Sequence, residues 1–192
     1  AEKLLPSGYH LQISGSAKTF QESFSGLVLA LVLGLIVSYM VLASQFNSFI
    51  HPFTVLLALP FSIIGAFAAL YVGDQSLNIY SMIGILLLMG LVKKNSILLV
   101  DFTNESRSQG MNVNDSLLHA CPLRLRPILM TSFSTIAGAL PPAIGLGPGA
   151  ESRIPMALVL IGGVLSSTFL TLYVVPCAYS LMSKLERKVI QE

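Results

Sequence analysis

Two adjacent lysines, Lys93 and Lys94, interrupt the run LLLMGLVKKNSILLVDF at residues 86–102, whose other residues have the composition of a membrane-spanning helix. An ammonium at the centre of such a helix costs roughly 2.5–3.5 kcal/mol on insertion scales, so a chain that keeps one there has a use for it. On a helix, Gly90, Lys94, Ile97 and Asp101 fall on one face, while Lys93 is turned about 100° away. Lys94 lies roughly 12 Å of helix from Phe102, below the surface yet within partial snorkelling reach. Either lysine can snorkel to headgroups, but Gly90, one turn from Lys94, leaves room for a neighbouring helix and favours an interior place for Lys94 over Lys93. A buried lysine needs an anionic partner or must lose its proton. The other apolar segments hold no acid. Asp101, two turns along the same helix, is expected at the interface, where it serves as a helix-end polar group or as a member of a relay.

A matching surface comes from Thr131, Ser134, Thr135 and Gly138, a polar stripe at i, i+3, i+4 and i+7, headed by Arg124. Taken singly, such hydroxyls bond their own helix backbone, and Arg124 and Arg126 also suit positive anchors at a membrane surface. Facing a helix that bears a buried lysine, the stripe instead lines a polar, hydrated interior. These parts make a proton-linked device. Protonating a partner carboxylate weakens its hold on the lysine, which swings toward threonine or serine acceptors and lets the helices shift. The carboxylate is the part these segments do not supply.

The elements that position these residues are membrane helices. Of the 192 residues, 54% are hydrophobic and 10% charged, with mean hydropathy +0.77, where an ordinary soluble domain is about 25% charged. The formal net charge of +2 is not gathered into a basic patch, so no nucleic-acid partner is expected. Cys121 and Cys177 show no CxxC or metal-ligand spacing and read as small apolar, reduced residues. No metal and no cofactor is expected; the energy source would be the proton-motive force.

Five segments are long enough to cross ~30 Å of hydrocarbon, at residues 24–46, 53–72, 77–102, 128–146 and 154–182. The expected fold is therefore all-α, a five-helix transmembrane bundle. Pro60 interrupts the second segment, which a spanning helix tolerates when its neighbours satisfy the freed carbonyl. Gly162, Gly163, Ser166 and Ser167 in the fifth are small residues that let helices pack closely. Residues 1–23 are polar; Tyr9, Leu11 and Ile13 alternate with polar neighbours as a strand would, and this piece is expected to close a sheet whose other strands lie elsewhere. In the 103–127 loop, Asn112 or Asn114 with Asp115 caps a short amphipathic helix through Val113, Leu117, Leu118 and Cys121, expected along the membrane surface. Residues 183–192 form a polar tail, and His10, His51 and His119 are expected in tails or loops.

Lysine and arginine counts orient the bundle. One side carries Lys3, Lys18 and Arg153; the other carries Arg107, Arg124, Arg126, Lys184, Arg187 and Lys188 and is expected to be cytoplasmic. The C-terminus is then inside and residues 1–23 outside, with membrane lipids around the spans. A first residue Ala1 with no apolar leader reads as an internal cut, with earlier spans or an exported domain expected before it.

GLVKKNSILLVDF at 90–102, RLRPILMTS at 124–132, GPGAESRIPMALVLIGG at 147–163 and YMVLASQFNSFIHP at 39–52 together resemble the second half of resistance-nodulation-division efflux pumps. The resemblance covers essentially the entire chain and implies the eighth to twelfth of twelve spans, with residues 1–23 closing the second periplasmic porter region. It implies proton-driven export of drugs or other amphiphilic small molecules from the periplasm and outer leaflet, in a bacterial inner membrane. It also implies a homotrimer working with a periplasmic adaptor and an outer-membrane channel, and an N-terminal half whose fourth span carries paired proton-binding aspartates. By motif match Lys94 corresponds to the relay lysine, Thr131 to the relay threonine and Arg124 to the arginine at the cytoplasmic mouth of the proton path, while Lys93 occupies a variable position.

Three other readings compete. An intramembrane hydrolase needs a serine or acid pair with a base at membrane depth, and no histidine or acid pair is expected there. A relative of the same helix layout could move proteins or lipids on the proton gradient. A non-transporting scaffold would have no use for Lys94 and the Thr131 stripe.

Overall fold

The computed structural model of the chain describes residues 15–145 and 147–189. Among these every regular element is helical: α1 (Ser16–Phe46), α2 (Ile50–Leu56), α3 (Ala58–Val72), α4 (Ile79–Ser108), α5 (Val113–Ile144), a 3₁₀ turn at Ala150–Ser152, and α6 (Ile154–Val189). Five of the resulting helical stretches are long and apolar enough to cross a membrane, α2 and α3 together forming one of them. The strand expected through Tyr9, Leu11 and Ile13 lies outside the described residues. The polar lead-in after Gly15 is already part of α1.

The break between α2 and α3 falls at Leu57. Pro60 has no N–H to give the carbonyl of Leu56, so the ladder steps there; Leu57 still bonds the carbonyl of Phe53 at 3.0 Å. The start of α4 is fixed by a reciprocal cap, in which Ser81 N–H donates to Asn78 Oδ1 at 2.9 Å and Asn78 N–H donates to Ser81 Oγ at 2.8 Å.

The surface helix expected in the 103–127 loop is not a separate element. α4 runs on to Ser108 and α5 begins at Val113, so only residues 109–112 connect them, and Val113, Leu117, Leu118 and Cys121 form the first turns of the fourth span. Pro127 is no helix start; it sits inside α5 with Pro122, Pro141 and Pro142. Each proline deletes one ladder bond, but breaking the helix in or near lipid would orphan several more backbone groups. Asn112 is the N-cap residue without a side-chain cap bond; its Nδ2 donates instead to Asp115 Oδ2 at 3.5 Å. The tail expected from residue 183 is likewise helical, as α6 continues to Val189.

α6 is the central helix and packs on α3, α4 and α5. Its small residues make that possible, as expected from the sequence. A Cβ at Gly65 of α3 would overlap the Ser166 side chain and stand 2.8 Å from the carbonyl of Gly162, and one at Gly162 would overlap Ala69. Backbone thus meets backbone where α3 crosses α6. Against α4, Gly163 receives Leu88 and Gly84 receives Val159. Further along, Tyr179 of α6 bonds Asn104 of α4. These three contacts join residues with the same 75-position separation, so α4 and α6 run parallel in fixed register. α1 is the least embedded span, with 6% of its most apolar stretch buried.

Candidate relay cavity

The stripe on α5 and the lysine helix α4 meet around a cavity of about 390 Å³. Lys94 and Asn95 line it from α4, Thr131, Ser132, Ser134 and Thr135 from α5, and Val164 with Ser167 from α6. Lys94, Gly90, Thr131, Ser134 and Gly138 are all exposed, so the cavity lies on an open face of the helix pair. Leu91, Val92 and Met130 complete a wall that is largely apolar, so the polar groups stand out from it, and the volume equals that of on the order of ten waters at about 30 Å³ each.

Within it the hydroxyls divide by task. Thr131 Oγ1 donates to the carbonyl of Ile128 at 2.9 Å, and Thr135 Oγ1 to that of Thr131 at 2.8 Å, which leaves their oxygen lone pairs as acceptors at the wall. Ser132, buried, shares a 2.7 Å hydrogen bond with Thr168 of α6, whose hydroxyl also donates to the carbonyl of Val164. This cross-helix pair was not expected from the sequence, where Ser132 sat beside the stripe rather than on it. Ser132→Ala is expected to lower the melting temperature of the detergent-solubilised protein modestly, by the ~0.6–1.7 kcal/mol typical of such bonds in membranes. An unchanged melting curve would show that the bond contributes nothing.

The other expected residues are placed apart from this cavity. Lys93 is half-buried and Lys94 exposed, the reverse of the burial expected for an interior Lys94 within these five spans alone. The reason is that the cavity Lys94 lines is open on the side that no described helix covers. Gly90 shares that face and has no atom of another helix within 4 Å of its would-be side chain. Neither lysine forms an ion pair among the described residues. Arg124 does not line the cavity; its guanidinium carbon stands 4.6 Å from the centroid of the Phe102 ring, a cation–π contact. His119 stacks on the same ring at 6.0 Å. Asp101 is exposed and outside the cavity.

Two histidines depart from the expectation of loops: His119 lies in α5, and His51 lies in α2, buried against Tyr179 at 5.3 Å between ring centroids. Among the described residues no group of three or more His, Cys, Asp and Glu side chains comes together.

A family model, described as the AcrB/AcrD/AcrF family, matches residues 1–183. The chain belongs to that family. It is a membrane segment of a resistance-nodulation-division transporter, as the four sequence motifs implied. The solved structures include one described as an X-ray crystal structure of a heavy metal efflux pump, 27% identical and superposing with a TM-score of 0.82. The match covers 95% of this chain and 18% of that one, so the chain spans less than a fifth of the pump it resembles. Members of the AcrB/AcrD/AcrF family are transporters, and this segment supplies spanning helices to one.

Proposed function

We propose that these five spans are the half of a proton-driven exporter that supplies the cationic side of its proton relay. The observation that carries this is the shared cavity of Lys94 and Thr131, open toward a face that no acid of the described residues approaches. A second helix group bearing carboxylates would close it. With those carboxylates ionised, Lys94 is held across the interface; with one protonated, the attraction falls and the ammonium can turn to the Thr131, Ser134 and Thr135 oxygens. Arg124, fixed over Phe102, marks the mouth of the path near the Arg107 end of the bundle, with Asp101 at the same level.

In this reading the Arg107 end is cytoplasmic, in agreement with its excess of lysine and arginine. The whole transporter would sit in a bacterial inner membrane as a trimer, together with an adaptor and an outer-membrane channel. Its cargo would be amphiphilic small molecules. The likeness to a heavy metal efflux pump makes metal ions a second cargo class, since one relay serves either.

The test uses the full-length transporter in proteoliposomes with a pH dye inside, an imposed proton gradient, and ethidium and Zn²⁺ as alternative probes. Thr131→Val, which keeps the side chain's shape and removes its oxygen, is expected to slow coupled proton movement about tenfold or more. A rate equal to wild type would remove Thr131 from the relay, and a wild-type protein that moves no protons with either probe would favour the scaffold.

A further inference from the structure

We propose that Tyr179 is a positioning residue: it clasps the Arg107 end of α4 to α6 and α2 and so holds Lys94 in place in the relay cavity. The proposal rests on the relay reading of Lys94. Tyr179 is 1% exposed, the largest of the fully buried side chains among the described residues, and its partners come from α4 and α2. Its hydroxyl donates to Asn104 Oδ1 and accepts from Arg107 Nη1 at 3.0 Å, both on α4. The Arg107 guanidinium also lies 5.9 Å from the ring centroid. On α2, His51 stacks nearly parallel to the ring, 9° between planes, and Phe46 from the end of α1 meets His51 edge-on at 73°.

A phenol that both donates and accepts while buried ties two positions of α4 to one atom of α6. Deleting that atom removes one partner from the Asn104 amide oxygen and one from the Arg107 guanidinium together, while the ring contacts stay. Asn104 is ten residues from Lys94, roughly 15 Å along α4, so the clasp sets the tilt of the rod on which the lysine is mounted. Displacing a reacting group by about 1 Å can cost on the order of 10²-fold in rate. None of the residues lining the relay cavity belongs to this cluster, and Tyr179 lies 72 and 75 positions from its partners on α4, so no motif announces them.

The experiment compares Tyr179→Phe with wild type in the full-length transporter. This variant keeps the ring on His51 and removes only the hydroxyl. Spin labels at Ser108→Cys on α4 and Leu181→Cys on α6, both exposed, in a Cys121→Ser, Cys177→Ser background, report the distance between the two helix ends. The expected result is a broadened or shifted distance distribution and a several-fold lower maximal rate at unchanged KM for whichever of ethidium or Zn²⁺ the wild type carries. A merely structural tyrosine would lower the melting temperature and leave the rate per folded molecule unchanged. An unchanged distance, or an unchanged maximal rate, overturns the proposal. Lys94→Ala, run alongside, is expected to keep the narrow distance while losing export; export intact in that variant would overturn the relay reading instead. If Tyr179→Phe fails to accumulate, Asn104→Leu removes the acceptor with the tyrosine in place and is read by the same two measurements.

Discussion

Replacing Lys94 by alanine in the full-length transporter is expected to abolish proton-coupled export, a loss on the order of 10²-fold or more, comparable with removing a preorganised charge stabiliser from an active site. Expression and melting temperature should stay at wild-type values, because the Lys94 side chain is exposed in this half and its truncation leaves no void among the described helices. Among the described residues the ammonium is the only cation lining the cavity, and none of them substitutes for it. Lys93→Ala removes an equal charge one residue away, from a half-buried side chain that lines a different face, and export should remain near the wild-type rate. Proton uptake in proteoliposomes and drug or metal tolerance in cells check both. Equal losses from the two variants would show that the charge matters only as charge, and unimpaired export by Lys94→Ala would end the relay assignment.

The second large effect is on folding. Gly162→Val places a branched side chain where a single Cβ already overlaps Ala69 and stands 2.7 Å from the carbonyl of Gly65. Overpacking typically costs 1–3 kcal/mol, and more where the obstacle is backbone that cannot rotate aside. That is a large part of a total stability of about 5–15 kcal/mol. The expected outcome is little or no folded protein by size-exclusion of a fluorescent fusion, or a melting temperature lowered by many degrees. Gly138→Ala is the control, since nothing stands within 4 Å of its would-be Cβ. Equal melting of Gly162→Val and wild type would mean that α3 and α6 do not cross as closely as described.

The two sites differ in how openly the sequence declares them. The spans were visible because hydropathy reports residence in hydrocarbon, and Lys94 with Thr131 was visible because each lies on a regular helical stripe that needs no knowledge of the fold. Hydropathy does not report where a helix ends. Residues 103–108 and 183–189 are polar and still helical, and the loop expected at 103–127 ends at Pro127, which α5 passes through. The bonds between Ser132 and Thr168, and between Tyr179 and Asn104, join positions 36 and 75 residues apart. Nothing local distinguishes those residues from other serines and tyrosines near a membrane, so only the packing of α6 against its neighbours identifies them. His51 is expected in a tail or loop, yet a proline in the first turn of a helix costs no hydrogen bond, and α2 starts at Ile50, before Pro52.

The constant 75-position separation between α4 and α6 limits how the lysine helix can move. Gly163 is a socket for Leu88, and Gly84 a socket for Val159. Were α4 to shift by one turn so that Leu88 met Val159, two bulky side chains would compete for space made for one; the opposite shift would set Gly84 against Gly163 and leave that socket unfilled. Sliding therefore costs a clash in one direction and an unfilled socket in the other, while a tilt pivots about the close contacts without exchanging their occupants. A force applied at Lys94 reaches α6 as torque rather than as a piston stroke.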